Sequence, residues 1–339
     1  MRLPILSSKH LAIDLGTSNC HVWASGQGVV LSEPSVVAID SVSGNVVSVG
    51  TSAFEMLGRT GTDLVAQRPL RDGVVADYIV CEAMLKYFMD KVLGYSRFWR
   101  PEVMVCVPYG ITQVERRAVL EATLSAGART AYLIDQPLAA AIGAKIPMDE
   151  PVGSMIVEIG GGQVGAAVVS LGGIVVAGSG RFGGDKLSEA IATYIRRIHN
   201  LVIGERMAED IKINIGSALA IRPKKTMEVK GRDAISGMPK TVAVDCDEVT
   251  EAMTPVLHSI IGAIKTVLEQ TPPELASDII DRGIVLSGGA SQLKGIDSFI
   301  SSQIGVSAHL AENPMQCVVY GTGIALENID TWRRMVQAR

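Results

Sequence analysis

Two short runs constrain this chain more than anything else in it. LAIDLG at 11–16 and MIVEIG at 155–160 are each an apolar run ending in an acid, any residue and a glycine. Each is followed at once by residues patterned like a hairpin: HVWAS, the turn GQG and VVLS after the first, and VGAAVVS, LGG and GIVVAG after the second. Asp14 and Glu158 stand 144 residues apart, too far for a solenoid period. A strand, an acid, a glycine turn and a hairpin, met twice, predict two similar α/β halves that face each other. Glycine lets backbone amides approach an anion closely, so the two turns would hold a phosphate between them.

The intervening sequence reads as mixed α/β. SVVAID and VVSVG, joined at SGN, form a smaller strand pair. Asp77 is placed to cap a helix over 77–92, whose apolar residues at 79, 80, 83, 84, 87 and 88 share one face. After the strand VMVCV (103–107), Thr112 and Glu115 form a capping box that opens a helix through Gly127. A strand (AYLID) and a helix (LAAAIGA) complete the first half. In the second half, GIVLSGGASQLKGID (283–297) reads as a strand, a turn at Gly288, Gly289 and Ala290, and a helix. Amides at a helix start favour an anionic or polar group. Three such glycine turns, each after an apolar strand, point to a nucleotide in a cleft. None is a P-loop, since no GK[ST] follows, and none is GxGxxG.

The 339 residues are enough for two domains or one duplicated domain, and 47% apolar with 19% charged residues makes the chain globular. A net charge of −4 with no long basic run argues against nucleic acid as the main partner. Five scattered cysteines without CxxC spacing argue for reduced thiols in a cytosolic protein, and MRLPILSSKH is too short and polar for a signal peptide. Residues 159–180 carry no formal charge and are long enough to span a bilayer, but their glycines and the LGG break read as a buried hairpin.

In matching order, DLGTSN, GVVLSEPSVVAI, RPLRDGVVADY, GITQVERRAV, IGGGQVG, GGIVVAGSGRFGGDKL, IGERMAEDIKINIGSA and IVLSGGA resemble the MreB family of bacterial actin homologues over about residues 9–328. The resemblance implies an actin-like fold, with two halves around an ATP–Mg²⁺ cleft and a smaller subdomain on each. The subdomains would be 1–32, 66–145 and 315–339 (IA), 33–65 (IB), 146–180 with 247–314 (IIA), and 181–246 (IIB). It implies filaments of the chain itself at the inner face of the cell membrane, cytoplasmic and peripheral, with a membrane-spanning adaptor and the cell-wall synthesis machinery as partners. Asp14, Gly16, Thr17, Ser18 and Asn19 would form the first phosphate loop, and Gly160, Gly161, Gly162 and Gln163 the second. Glu209 and Lys212 would lie near ribose and base, with Gly288, Gly289 and Ala290 on the adenosine side. Asp14 and Glu158 would hold Mg²⁺ through water, and Gln136 and Glu158 would serve hydrolysis.

The departures from the family bear on hydrolysis. Glu158 stands where MreB proteins have aspartate, and Gln163, Val164 and Gly165 stand where they have two threonines and a glutamate. The hydroxyl missing at Val164 belongs, in the family, to a pair that positions water, and Gln136 takes the place of the other member, a glutamate. ATPase activity is therefore expected to be slow. A small-molecule kinase of the same superfamily would need a base beside an acceptor hydroxyl, and none stands out; a non-polymerising regulatory paralogue is the other alternative. GYSRFWRPE (94–102) sets Tyr95, Phe98 and Trp99 beside Arg97 and Arg100 in a chain only 4% aromatic, which suits an anionic membrane boundary. The resembling family docks on membrane with a similarly placed loop, and Leu3, Ile5 and Leu6 would add a weak second anchor.

Overall fold

The computed structural model describes residues 10–94 and 100–338. Tyr95, Phe98 and Trp99, and the N-terminal MRLPIL, lie outside the described residues.

Two sheets carry the fold, and they share one topology. In the first, the strands run in the order Gln337–Ala338, Thr130–Asp135, Glu102–Val107, His10–Leu15, Asn19–Ala24 and Gly28–Pro34. In the second the order, from the opposite end, is Ala308–Leu310, Ile284–Ser287, Ser154–Ile159, Val164–Ser170 and Gly173–Gly180. Each acid-bearing strand has an antiparallel hairpin on one side and two successive parallel strands on the other. The register matches as well. Asp14 stands opposite His21 and Cys106, and Glu158 opposite Gly165 and Ser287. The repeat read from two acid–x–glycine runs is a repeat of whole sheets.

Each sheet has its own apolar core. Leu11, Ile13, Val103 and Val105 pack with Met84, Leu85 and Phe88 of the helix Tyr78–Leu93 in the first half. Met155, Val157 and Ile159 pack with Ile191, Ile211, Leu257 and Ile264 in the second. Burying a side chain of this size contributes about 1.5–3 kcal/mol. A third cluster seams the halves together: Ile134 and Met104 from one sheet, Ile156 and Ala167 from the other, with the helices Gln136–Gly143 and Cys317–Glu327 between them. These two helices cross at backbone distance. A Cβ at Gly143 would lie 1.8 Å from Cys317 O, and one at Gly321 would lie 1.7 Å from Ala139 O.

The local signals behave as their chemistry requires. Asp77 accepts from Val80 N at 3.1 Å, and Thr112 and Glu115 satisfy each other's backbone amides at 3.2 and 2.7 Å. The uncharged stretch is a hairpin, and among the described residues no helix is long and apolar enough to cross a membrane. Smaller three-stranded sheets are inserted in each half. One joins Val46–Val49, Val37–Asp40 and Leu64–Gln67, and the other joins Leu201–Val202, Thr226–Asp233 and Pro239–Asp245. The strand Leu64–Gln67 runs across the boundary expected at 65/66.

Candidate functional site

The first glycine turn joins His10–Leu15 to Asn19–Ala24. A Cβ at Gly16 would come 2.5 Å from Asn19 O, so the turn is too tight for a side chain there. Ser35 Oγ donates to Gly16 O at 2.6 Å, and Gly73 N donates to Thr17 Oγ1 at 2.9 Å. The second turn closes with Gly160 N donating to Gln163 O at 2.9 Å. Its carbonyls are taken by the start of the helix Gly184–His199: Gly184 N donates to Gly160 O at 2.9 Å and Asp185 N to Gly161 O at 2.8 Å. The third turn needs a left-handed backbone. Gly288 has φ 87°, and a Cβ there would meet Ile159 O at 2.4 Å.

The first two turns touch each other across the halves. A Cβ at Gly161 would fall 1.9 Å from Ser18 Oγ, and one at Gly162 would fall 2.5 Å from Thr17 Oγ1. These glycines are thus required by contact between the turns, whereas the sequence suggested ligand approach alone. Ser18 Oγ donates to Asp185 Oδ1 at 2.9 Å, a second link between halves. Arg68 supplies a third. It donates to the carbonyls of Thr17 and Ser18 at 3.4 and 3.2 Å and pairs with Glu205 at 2.7 Å. Glu205 opens the helix Glu205–Ile215, which carries Glu209 and Lys212. Lys212 is buried and donates to Gly184 O at 2.8 Å and Glu209 Oε2 at 2.6 Å, while Ser188 Oγ holds the same carboxylate at 2.7 Å.

All of these turns open on one cavity of about 610 Å³. Asp14, Gly16, Thr17, Ser18, Asn19, Gln136, Glu158, Gly160, Gly161, Gly162, Gln163, Glu209, Lys212, Gly288, Gly289 and Ala290 all line it. Asp185, Gly73, His21, Lys225 and Gln292 line it too and were not singled out from the sequence. Asp185 had a legible signal, since it follows a glycine pair at a helix start; Arg68 had none, because its partner is 137 residues away.

The two acids, Asp14 and Glu158, are both buried at the cavity wall. Burial raises the Asp14 pKa, and His21, the Cys106 thiol at 3.2 Å and Gln136 pull it partly back. Glu158 is pushed up to about 8, by burial first and by the Asp14 charge second. Its Oε2 has no hydrogen-bond partner among the described residues, nor has the buried Ser287 Oγ on the adjacent strand. An unsatisfied carboxylate oxygen facing a cleft beside a second acid fits a divalent cation or its water shell, which would restore both charges.

The structure corrects the sequence on the neighbouring residue. Val164 is fully buried in the apolar core of the second half and does not line the cavity. Its side chain faces away from the cleft, so a hydroxyl there could not hold a cleft water. Gln163 occupies that place, and its Nε2 donates to Gln136 Oε1.

Two lobes of common topology, closed on a cleft by glycine turns from both, define an actin-like protein. The comparisons agree. The chain is 33% identical to MreB5 of Spiroplasma citri bound to ADP, with a TM-score of 0.90 over 96% of this chain and 98% of that one, and the MreB5 structure bound to AMPPNP matches equally well. The MamK double helical filament shares the fold, at a TM-score of 0.77 and 22% identity. The model of the MreB/Mbl protein family matches residues 8–334, and the chain belongs to that family. It is 48% identical to the cell shape-determining protein MreB of Escherichia coli K12 over 329 residues, covering 95% of this chain and 94% of that one. It is 47% identical to the cell shape-determining protein Mbl of Bacillus cereus over 323 residues, covering 95% and 97%.

Proposed function

We propose that this chain binds ATP with Mg²⁺ in the cleft and assembles into filaments at the inner face of the cell membrane. There it would work with a membrane-spanning adaptor and the cell-wall synthesis machinery to set cell shape. The observation that carries the reading is the convergence of three glycine turns and two buried acids, from both halves, on one cavity. Nucleotide-bound MreB5 and the curated MreB and Mbl relatives support it. The subdomain division at 1–32, 66–145 and 315–339, 33–65, 146–180 with 247–314, and 181–246 belongs to the same reading.

Amides of Gly160, Gly161 and Gly162 and of the first turn would face the phosphates. Asp14 and Glu158 would hold Mg²⁺ through its water, where the ion supplies positive charge to the phosphates. Glu209 and Lys212 would lie at the ribose and base, beside Gly288, Gly289 and Ala290. Gln136 would orient the hydrolytic water, and hydrolysis would be slow at most.

Sedimentation of the purified chain with ATP, ADP and a non-hydrolysable analogue, with and without anionic liposomes, tests this reading. Pelleting with ATP and co-sedimentation with liposomes are expected, the latter reduced by Phe98→Ser with Trp99→Ser. A chain that binds ATP but never pellets would be a non-polymerising paralogue instead.

A further inference from the structure

Gln136 and Gln163 are both buried at the cavity wall, one from each half of the molecule. Gln136 is the first residue of its helix, directly after the strand Thr130–Asp135, and Gln163 closes the second glycine turn. Gln163 Nε2 donates to Gln136 Oε1. In that bond the Gln136 oxygen is the acceptor and the Gln163 nitrogen the donor. Gln136 also favours the ionised form of Asp14. Gln163 takes the space that a side chain at 73 would need: a Cβ at Gly73 would lie 2.5 Å from its Oε1. Gln136 Oε1 is therefore already taken by a donor from the other half.

We propose that Gln163 is a positioning residue that acts through Gln136, competing with the nucleophilic water for Gln136 Oε1 and so keeping ATP hydrolysis slow. The proposal rests on the ATP reading above. In hydrolysis the water oxygen bonds to the terminal phosphorus. The bond from that phosphorus to the bridging oxygen breaks, its electron pair leaves on ADP, and the water protons pass to the released phosphate and solvent. The water must be held in line, and a carbonyl oxygen that accepts one of its protons does this. Gln163 Nε2 makes the contact to Oε1 that such a water would make. A threonine or alanine at 163 has no amide to reach Oε1, and it leaves space beside Gly73 for a water.

The test is phosphate release by the full chain at saturating MgATP, with AMPPNP affinity measured by calorimetry. Gln163→Thr and Gln163→Ala are expected to release phosphate faster, on the order of tenfold, which is what one competing hydrogen bond is worth. AMPPNP affinity should stay within about twofold, because binding relies on the turns and not on this amide. In a Gln136→Ala background the same substitutions should bring no acceleration, a dependence that a general loosening of the loop would not show. Unchanged or slower release in both single variants, or acceleration that survives Gln136→Ala, overturns the proposal. Absence of ATP binding by the unsubstituted protein would instead sink the nucleotide reading and this proposal with it.

Discussion

Glu158 makes a prediction about the metal-free, nucleotide-free protein. Its carboxyl is moved from an ordinary 4.5 to about 8, chiefly by burial and next by the charge of Asp14. Below about pH 4.5 the group is protonated in both folded and unfolded chains and adds no pH dependence. Between 4.5 and 8 the unfolded chain gives up this proton and the folded chain keeps it. Stability therefore falls as pH rises, at about 1.4 kcal/mol per pH unit, and levels off above 8. At pH 7 the loss is about 3 kcal/mol, and above pH 8 it approaches about 5 kcal/mol. Glu158→Gln keeps the shape and removes the titration. The variant should match the parent near pH 5 and be more stable by several kcal/mol at pH 8. The difference is read from urea unfolding of chelator-treated protein across pH 5 to 8.5. The Asp14 shift, also upward, is present in both proteins and largely cancels. Parallel stability curves for parent and variant would refute the argument. A cation bound at the two acids would reverse the effect. Addition of MgATP should release about one proton at pH 7 from the parent and markedly less from Glu158→Gln, seen by calorimetry in buffers of different ionisation enthalpy.

Three further substitutions test the cleft. Gly161→Val puts a Cβ 1.9 Å from Ser18 Oγ and should force the turns apart, lowering ATP affinity on the order of tenfold or more by calorimetry; unchanged affinity would show that the turns can separate freely. Arg68→Ala removes the tie between the first turn and Glu205, an ion pair half in solvent and worth about 1 kcal/mol in melting. Its clearer readout is a larger radius of gyration by solution scattering, and an unchanged radius would show that the other links suffice. Val164→Thr buries a hydroxyl in an apolar core and should cost about 1–3 kcal/mol in urea unfolding while leaving phosphate release alone; faster release would return residue 164 to the site.

Much of the fold was legible because the decisive signals are local. Asp77, Thr112 and Glu115 cap the helices they announce, since a cap needs only residues within one turn. The LGG break turns the uncharged stretch into a hairpin for the same reason. The repeat was legible as two motifs, but its extent was not. That His10–Leu15 and Ser154–Ile159 each take two parallel neighbours depends on strands such as Glu102–Val107 and Ile284–Ser287, far along the chain. The stretch around 65/66, expected to hold a subdomain edge, shows the limit in miniature: Leu64–Gln67 is one strand because it pairs with Val37–Asp40, not because its own residues mark an end.

The site was legible where function follows from backbone shape and obscure where it follows from parity. Glycines, and an acid ending an apolar strand, can be read directly, and all of those named line the cavity. Whether residue 163 or 164 faces the cleft depends on how many residues the turn after Glu158 uses. In a strand the faces alternate, and residues opposite each other across a ladder share a face. The structure pairs Ile159 with Val164 and Glu158 with Gly165. Ile159 belongs to the core, so Val164 does too, and the four intervening residues Gly160–Gln163 form the turn. Gln163, at the end of that turn, is free of the alternation and swings to Gln136. One residue more or fewer in the turn would exchange the two roles, and an IGGGQVG run carries no mark of where its second strand begins. The departure that lines the cleft is therefore the amide at 163, on which the proposal for hydrolysis rests, and the valine beside it is core packing.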